Sequence, residues 1–333
     1  MAIPQDTTTY HGVSGDVKPT TTALPALGPK EILIKITHTG LCASDLAYIP
    51  YGIALGHEGV GTVLAIGSEV TQFAVGDRAG GGYHRNSCGH CSYCLSGQDI
   101  WCYERTIFGE KDYGNGTIAG HYVGVETYLH KIPEGLESEH AAPLQCAGAT
   151  VYNALLGVAK PGERVGIVGI GGLGHLAVQI ARKMGAEVVV FSTSQDKEKE
   201  AKGFGANEFY LLDEVEKVTK PINTLVVSGN KYPDWDKFLV KNVLARAGTI
   251  IPLAAPHDRL NLPAFQLFFD GYNVKSSLVA SRRTHDDMLA FCASHDVKPV
   301  IERFELSESG IGEAIGKLTA NKMRYRGVLV APE

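Results

Sequence analysis

The chain has 333 residues, of which 44% are apolar and 20% charged. At roughly 150 residues per domain this suits a folded protein of about two domains, and it excludes disordered, collagen-like and membrane-embedded classes. With 31 Lys and Arg against 36 Asp and Glu, a formal net charge of −5, and no basic run, nothing invites nucleic acid.

No stretch reaches the ~18 apolar residues of a spanning helix, so no membrane partner is expected. The start, Met1-Ala2-Ile3-Pro4-Gln5-Asp6, has neither a basic region nor an apolar core. It does not read as a secretory leader, and a cytoplasmic protein is expected. Thiols stay reduced in that compartment, so the seven cysteines, 42, 88, 91, 94, 102, 146 and 292, read first as metal ligands or catalytic groups.

In chain order, Pro19, Pro25 and Pro29 mark an edge or loop before EILIKIT at 31–37, an alternating β-branched strand. Residues 52–82 are glycine-dense with short Val-rich runs, which predicts compact β structure with tight turns. The first region therefore reads as all-β. Beyond Cys146 the text alternates: RVGIVGI, HLAVQIARKM, EVVVF, KEKEAKGF, NEFYL, TLVVSG, WDKFLVKNVL and GTIIPL. Such alternation predicts a parallel sheet covered by helices. A further strand, VKSSLVAS, then a helix, HDDMLAFCASH, and a returning β tail, KMRYRGVLV, complete the chain.

Cys88-x-x-Cys91-x-x-Cys94-x7-Cys102 gathers four soft thiolates. A closed tetrahedral sulfur shell is what a structural zinc prefers, although iron–sulfur spacings overlap with it. A dispersed set comprises Cys42 in GLCASD, His57 in LGHEG, and Cys146. Two thiolates and one imidazole would leave an open position, as a catalytic zinc requires, with Asp45 fixing the His57 tautomer. Taken singly, each reads more often as a small apolar filler or a satisfied core histidine than as a ligand.

Gly169-Ile170-Gly171-Gly172-Leu173-Gly174 fits G-x-G-x-x-G and sits between a strand and a helix, where the backbone approaches a pyrophosphate at the helix N-terminus. The next strand ends in Ser192-Thr193-Ser194, followed by Lys197, in place of the acid that holds an NAD ribose. Three hydroxyls and a cation favour the 2′-phosphate of NADP(H); the alternative is that Lys197 is one more solvated charge of DKEKEAK.

Together GLCASD, GHEGVG, the four-cysteine motif, AAPLQCAGATVY, GIGGLG, STSxxK and MRYRGVLV resemble the zinc-dependent medium-chain dehydrogenases, most closely the cinnamyl alcohol dehydrogenase-like branch, over about Glu31 to Val330. The resemblance implies an α/β protein with a GroES-like β-rich catalytic domain in two parts, 1–146 and 299–333. Between them lies a Rossmann doubly wound NADP(H) domain, 147–298. It implies Cys42, His57 and Cys146 as catalytic zinc ligands, Glu58 beside that zinc, and Cys88, Cys91, Cys94 and Cys102 as structural zinc ligands, giving two Zn2+ per chain. It also implies a homodimer through the Rossmann domains. The implied chemistry is hydride transfer from NADPH to a zinc-polarised aldehyde or ketone, with proton delivery through Ser44.

Two departures stand out. The relay histidine of many relatives is Ala47 here, so water is expected to recharge Ser44, with Tyr48, Tyr51 and His121 as the substitutes to weigh. The segments from Cys42 to His57 and from Gly120 to Pro133 are shorter than in relatives, which leaves the substrate unnamed. Cys292 reads as a packing residue. The competing readings are an NADPH-dependent reductase of a conjugated alkene or iminium, a polyol dehydrogenase, and a non-catalytic NADPH sensor. Cys146 and the Ser-Thr-Ser strand end argue against the polyol reading, and the retained ligand set argues against the sensor.

Overall fold

The computed structural model describes residues 3–254 and 259–332, so Met1 and Ala2 of the N-terminal stretch read above lie outside it. The chain packs as two compact units, one formed by Met1–Ala149 with Ala280–Glu333 and the other by Thr150–Val279.

In the first unit the strand Glu31–Leu41 is the organising element. It runs four residues past the predicted Thr37 because it is paired on both sides. Glu58–Ile66 lies antiparallel along one side, while the other is shared by His121–Val125 and the C-terminal Arg326–Val330. Ile301–Glu305 extends the sheet beyond the tail, and Arg78–Gly82 and Leu129–Lys131 extend it the other way. Alternate residues of the central strand, Ile32, Ile34 and Ile36, enter a core with Leu55, Val63, Ile118 and Leu329. Full burial of each such side chain is worth about 2 kcal/mol.

In the second unit six parallel strands, numbered in chain order, lie 3-2-1-4-5-6: Glu208–Leu211, Glu187–Ser192, Arg164–Val168, Ile222–Val227, Leu244–Pro252 and Asn273–Val274. This is the doubly wound dinucleotide-binding order. Two predicted elements are shorter than expected. WDKFLVKNVL is helical only over Trp235–Phe238, since the chain leaves the helix to bury Leu239, Val243 and Leu244. VKSSLVAS contributes only Val274, which with Asn273 forms the two-residue edge strand Asn273–Val274.

The C-terminal boundary also differs. Residues 280–298, expected with the Rossmann domain, pack with the first unit. The helix Arg282–His295 buries His285, Met288, Leu289 and Cys292, an i, i+3, i+4, i+7 stripe that leaves Cys292 in a packing position. Its contacts explain the allegiance. Arg282 pairs with Asp99 at 3.0 Å, His130 Nδ1 meets Asp286 at 2.7 Å, and the His130 and His285 rings stack at 3.7 Å and 10°.

A third imidazole, His84, is buried in the same region, its ring 4.6 Å from Tyr128, with neither nitrogen partnered among the described residues. Burial pushes it down to about 4; Asp99 opposes this, and His130 and Arg105 add to it. His285 is lowered too, by burial and by the neighbouring His130 and His84. A folded-state value below the ordinary ~6.5 means the unfolded chain binds more protons, so stability is lost as pH falls from about 6.5 towards 4. His84 alone should cost about 2 kcal/mol between pH 7 and pH 5. Urea unfolding at the two pH values should show a correspondingly smaller loss in His84→Leu than in the parent chain.

Candidate metal and dinucleotide sites

The antiparallel register that places Thr39 opposite Gly59 brings the end of one strand, and so Cys42, beside His57 and Glu58. Cys146 arrives on a π-helical turn, Leu144–Gly148, directly after a helix with Pro143 in its last position. A proline has no N–H to donate, and the ladder widens there. One ligand atom from each of Cys42, His57, Glu58 and Cys146 lies within 4.8 Å of the others.

Asp45 orders this cluster. One carboxylate oxygen accepts the Cys42 N–H at 2.9 Å; the other accepts the Gly56 N–H at 3.0 Å and faces His57 Nδ1 at 3.1 Å. With Nδ1 occupied, His57 Nε2 is buried without a partner among the described residues. An orphaned imidazole nitrogen beside two thiols is the donor set that zinc completes. Burial disfavours charge on His57, but Asp45 and Cys42 outweigh it and raise its proton affinity. Cys42 is drawn well below the usual thiol value, chiefly by a hydrogen bond with Cys146, whose own value is raised by the same contact.

Glu58 is fully buried and faces Arg326, whose Nη2 donates to both carboxylate oxygens, one of them at 2.6 Å. Burial pushes Glu58 up to about 7 against the opposing pull of that guanidinium. The pair needs Gly40, since a Cβ there would sit 1.9 Å from the Glu58 carboxylate. Arg326 was not singled out from the sequence. The available signal was one cation opening the apolar run RGVLV.

The second cluster is as spaced. Cys102 Sγ lies 3.5 Å from Cys88 Sγ, and Cys94 Sγ lies 3.6 Å from Cys91 Sγ and 3.9 Å from Cys88 Sγ. Backbone N–H groups of Cys88 and Glu104 donate to Cys102 Sγ, and hydrogen bonding with the backbone at His90 helps draw Cys88 down to about 6. Four soft donors closed on one point fit a structural zinc.

Ser44 Oγ is 3.7 Å from Cys42 Sγ. The three substitutes for the missing relay fare differently. Tyr48 packs edge-on to Phe108 at 5.0 Å, and Phe108 in turn lies 4.5 Å from His57. Tyr51 is exposed. His121 binds Thr7 Oγ1 at 3.0 Å and lines a separate cleft of about 360 Å³ whose walls include neither Cys42 nor His57.

In the second unit the loop from Gly169 to Gly174 joins Arg164–Val168 to the helix Gly174–Lys183. Gly169 has φ 88°, and a Cβ on Gly174 would lie 2.0 Å from the Gly169 carbonyl oxygen. Space is open where a Gly171 Cβ would point, beside Leu173 at the helix N-cap, which leaves the backbone free to meet a phosphate. At the end of Glu187–Ser192 the expected hydroxyl trio divides. Ser192 is buried and its Oγ accepts the Ser194 N–H at 3.3 Å, so it shapes the turn, while Thr193 is exposed and Ser194 and Lys197 are half-buried. Ser194 Oγ donates to Asp196, an exposed acid that the reading of the strand end passed over.

Residues 28–134 match the Alcohol dehydrogenase GroES-like domain family and residues 172–294 match the Zinc-binding dehydrogenase family. A Bacillus subtilis (strain 168) protein described as a probable formaldehyde dehydrogenase is 36% identical over 327 residues, covering 93% of each chain. The chain belongs to the zinc-dependent medium-chain dehydrogenase family. Another member, the NADP-dependent alcohol dehydrogenase C 1 of Mycolicibacterium smegmatis (strain ATCC 700084 / mc(2)155), is 33% identical over 93% of each chain. The cinnamyl alcohol dehydrogenase SbCAD4 of Sorghum bicolor superposes with a TM-score of 0.91 at 29% identity, covering 98% of this chain and 97% of that one. This medium-chain dehydrogenase is thus an oxidoreductase of the alcohol dehydrogenase kind, built from a GroES-like and a Rossmann domain.

Replacing Asp45 by Ala would strand two buried N–H groups and His57 Nδ1 at once. The expected loss is about 3 kcal/mol or more in urea unfolding, with Asp45→Asn, which keeps an accepting oxygen, losing less.

Proposed function

We propose that this protein is a zinc- and NADP(H)-dependent alcohol dehydrogenase that acts as an aldehyde or ketone reductase on small molecules in the cytoplasm. The observation that carries the reading is the orphaned His57 Nε2, held by Asp45 and set beside Cys42 and Cys146. Cys42, His57 and Cys146 would hold a catalytic zinc, and Cys88, Cys91, Cys94 and Cys102 a structural one. When bound, zinc supplies a Lewis acid for the carbonyl oxygen and NADPH supplies a hydride to the carbonyl carbon.

The chain's own residues do the rest. Asp45 keeps His57 in the tautomer that leaves Nε2 free to coordinate. Arg326 holds the buried Glu58 carboxylate beside the ligands. Ser44 Oγ passes a proton to the nascent alcohol oxygen and recovers one from water, because Ala47 carries no relay. Gly169, Gly171, Gly172 and Gly174 admit the pyrophosphate, and Thr193, Ser194 and Lys197 receive the 2′-phosphate.

A homodimer through the Rossmann unit suits its exposed features. Phe265, Phe268 and Phe269 on the helix Ala264–Asp270 face solvent beside the short edge strand Asn273–Val274. No helix among the described residues is long and apolar enough to cross a membrane.

Steady-state rates should favour NADPH over NADH. Lys197→Glu should lower kcat/KM for NADPH by roughly ten-fold or more, the size of one lost charge-assisted contact, with little effect on NADH; a parent chain that prefers NADH overturns the cofactor reading. With deuterated NADPH and aromatic, aliphatic and conjugated aldehydes, the label should appear on the carbinol carbon. Label on a β-carbon or an iminium carbon would establish the alkene or iminium reductase instead.

A further inference from the structure

We infer that the helix Arg282–His295 clamps the turn that carries Cys146, with His285 as the positioning residue, so that metal retention at the Cys42, His57 and Cys146 site depends on it. The inference rests on the zinc reading above and adds a residue that no sequence motif marks.

The turn Leu144–Gly148 is π-helical and follows a proline, an uncommon local geometry that has weak intrinsic support and needs tertiary contacts to persist. The helix touches it on both sides of Cys146. One residue before the cysteine, the Gln145 side chain is buried. Its Nε2 donates to the Ala141 carbonyl at 3.0 Å, which turns Oε1 towards His285 Nε2, also at 3.0 Å. Two residues after the cysteine, a Cβ on Gly148 would lie 3.1 Å from Met288 Sδ, so the helix sits directly on the turn there as well.

Gln145 has little room on its other flank, since a Cβ on Gly80 would come within 2.8 Å of its carboxamide. His285 is fixed in turn by the stacked His130 ring, itself tied to Asp286 of the same helix. The Gln145 carboxamide is thus gripped between strand Arg78–Gly82 and the helix. Removing His285 leaves a buried amide oxygen unpaired, and the cheapest repair is for the turn to swing that oxygen towards water. Cys146 is the next residue and moves with it.

The test is metal release from the full chain loaded with Zn2+, followed with a chromogenic chelator, and the visible spectrum of the chain loaded with Co2+. The parent should release zinc in two phases, one per cluster. His285→Leu should speed only the phase of the Cys42, His57 and Cys146 site, by roughly ten-fold or more, the usual effect of losing a residue that supports a metal ligand. It should also alter the cobalt bands of that site and leave the four-thiolate phase unchanged. His285→Gln, whose carboxamide can still donate to Gln145 Oε1, should keep the parent rate and spectrum, whereas Gln145→Leu/His285→Leu, which removes the contact altogether, should speed the same phase; a double variant at the parent rate would overturn the clamp, and this comparison decides the matter even where His285→Leu does not fold.

Met288→Ala should speed the same phase. Two clean phases in the parent with both unchanged in His285→Leu, or both accelerated equally, would overturn the clamp and leave the zinc reading intact. A parent chain that takes metal only at the four thiolates would overturn the zinc reading and the clamp with it.

Discussion

The carboxylate of Asp45 does three things with two oxygens, and the rest of the site is arranged around that. It closes the start of the short helix after Cys42, anchors the Gly56 backbone, and holds His57 by Nδ1, which leaves Nε2 without a partner among the described residues. Each bond is ordinary; their convergence in a water-free setting is what makes them strong, because every donor would otherwise be buried and unpaired. The chain segments bearing Cys42 and His57 come from different strands, and Asp45 is the group that makes them one unit.

A second buried contact ties that constellation to the end of the chain. Glu58 on one strand and Arg326 on another are paired out of contact with solvent, and breaking such a pair by removing one partner costs about 3–5 kcal/mol. The pair ties together the two sequence-distant parts of the first unit. The tail Arg326–Val330 is laid along Glu31–Leu41 both to fill a sheet position and to bring a guanidinium to Glu58. Gly40, which the pair's geometry requires, lies opposite Val328 in the same ladder.

The features legible in the sequence are those whose chemistry is local. Four cysteines at fixed spacing, a glycine loop between a strand and a helix, and β-branched alternation each declare themselves within a few residues, and the structure arranges them accordingly. Partnership over long distances is not written locally. The helix Arg282–His295 follows a Rossmann pattern in the text and packs elsewhere because its partners, Asp99, His130 and Gln145, are remote in sequence. Ser192 looked like Ser194 until the strand's own burial turned it inward. His121 belongs to another cleft for the same reason, as strand pairing decides which face it occupies.

The placement of Arg326 has a consequence for biogenesis. A ribosome delivers Cys42, His57, Glu58 and Cys146 long before it delivers position 326, so Glu58 spends most of synthesis without its counter-ion. The parallel sheet of Thr150–Val279 is, by contrast, complete in one continuous stretch and has every strand it needs while the tail is still in the exit tunnel. Domains generally fold as units as they emerge. The order of assembly can therefore invert the order of the sequence: the continuous unit Thr150–Val279 has what it needs to fold first, and the unit holding Cys42, His57, Glu58 and Cys146 closes last, when the final strand enters beside Glu31–Leu41.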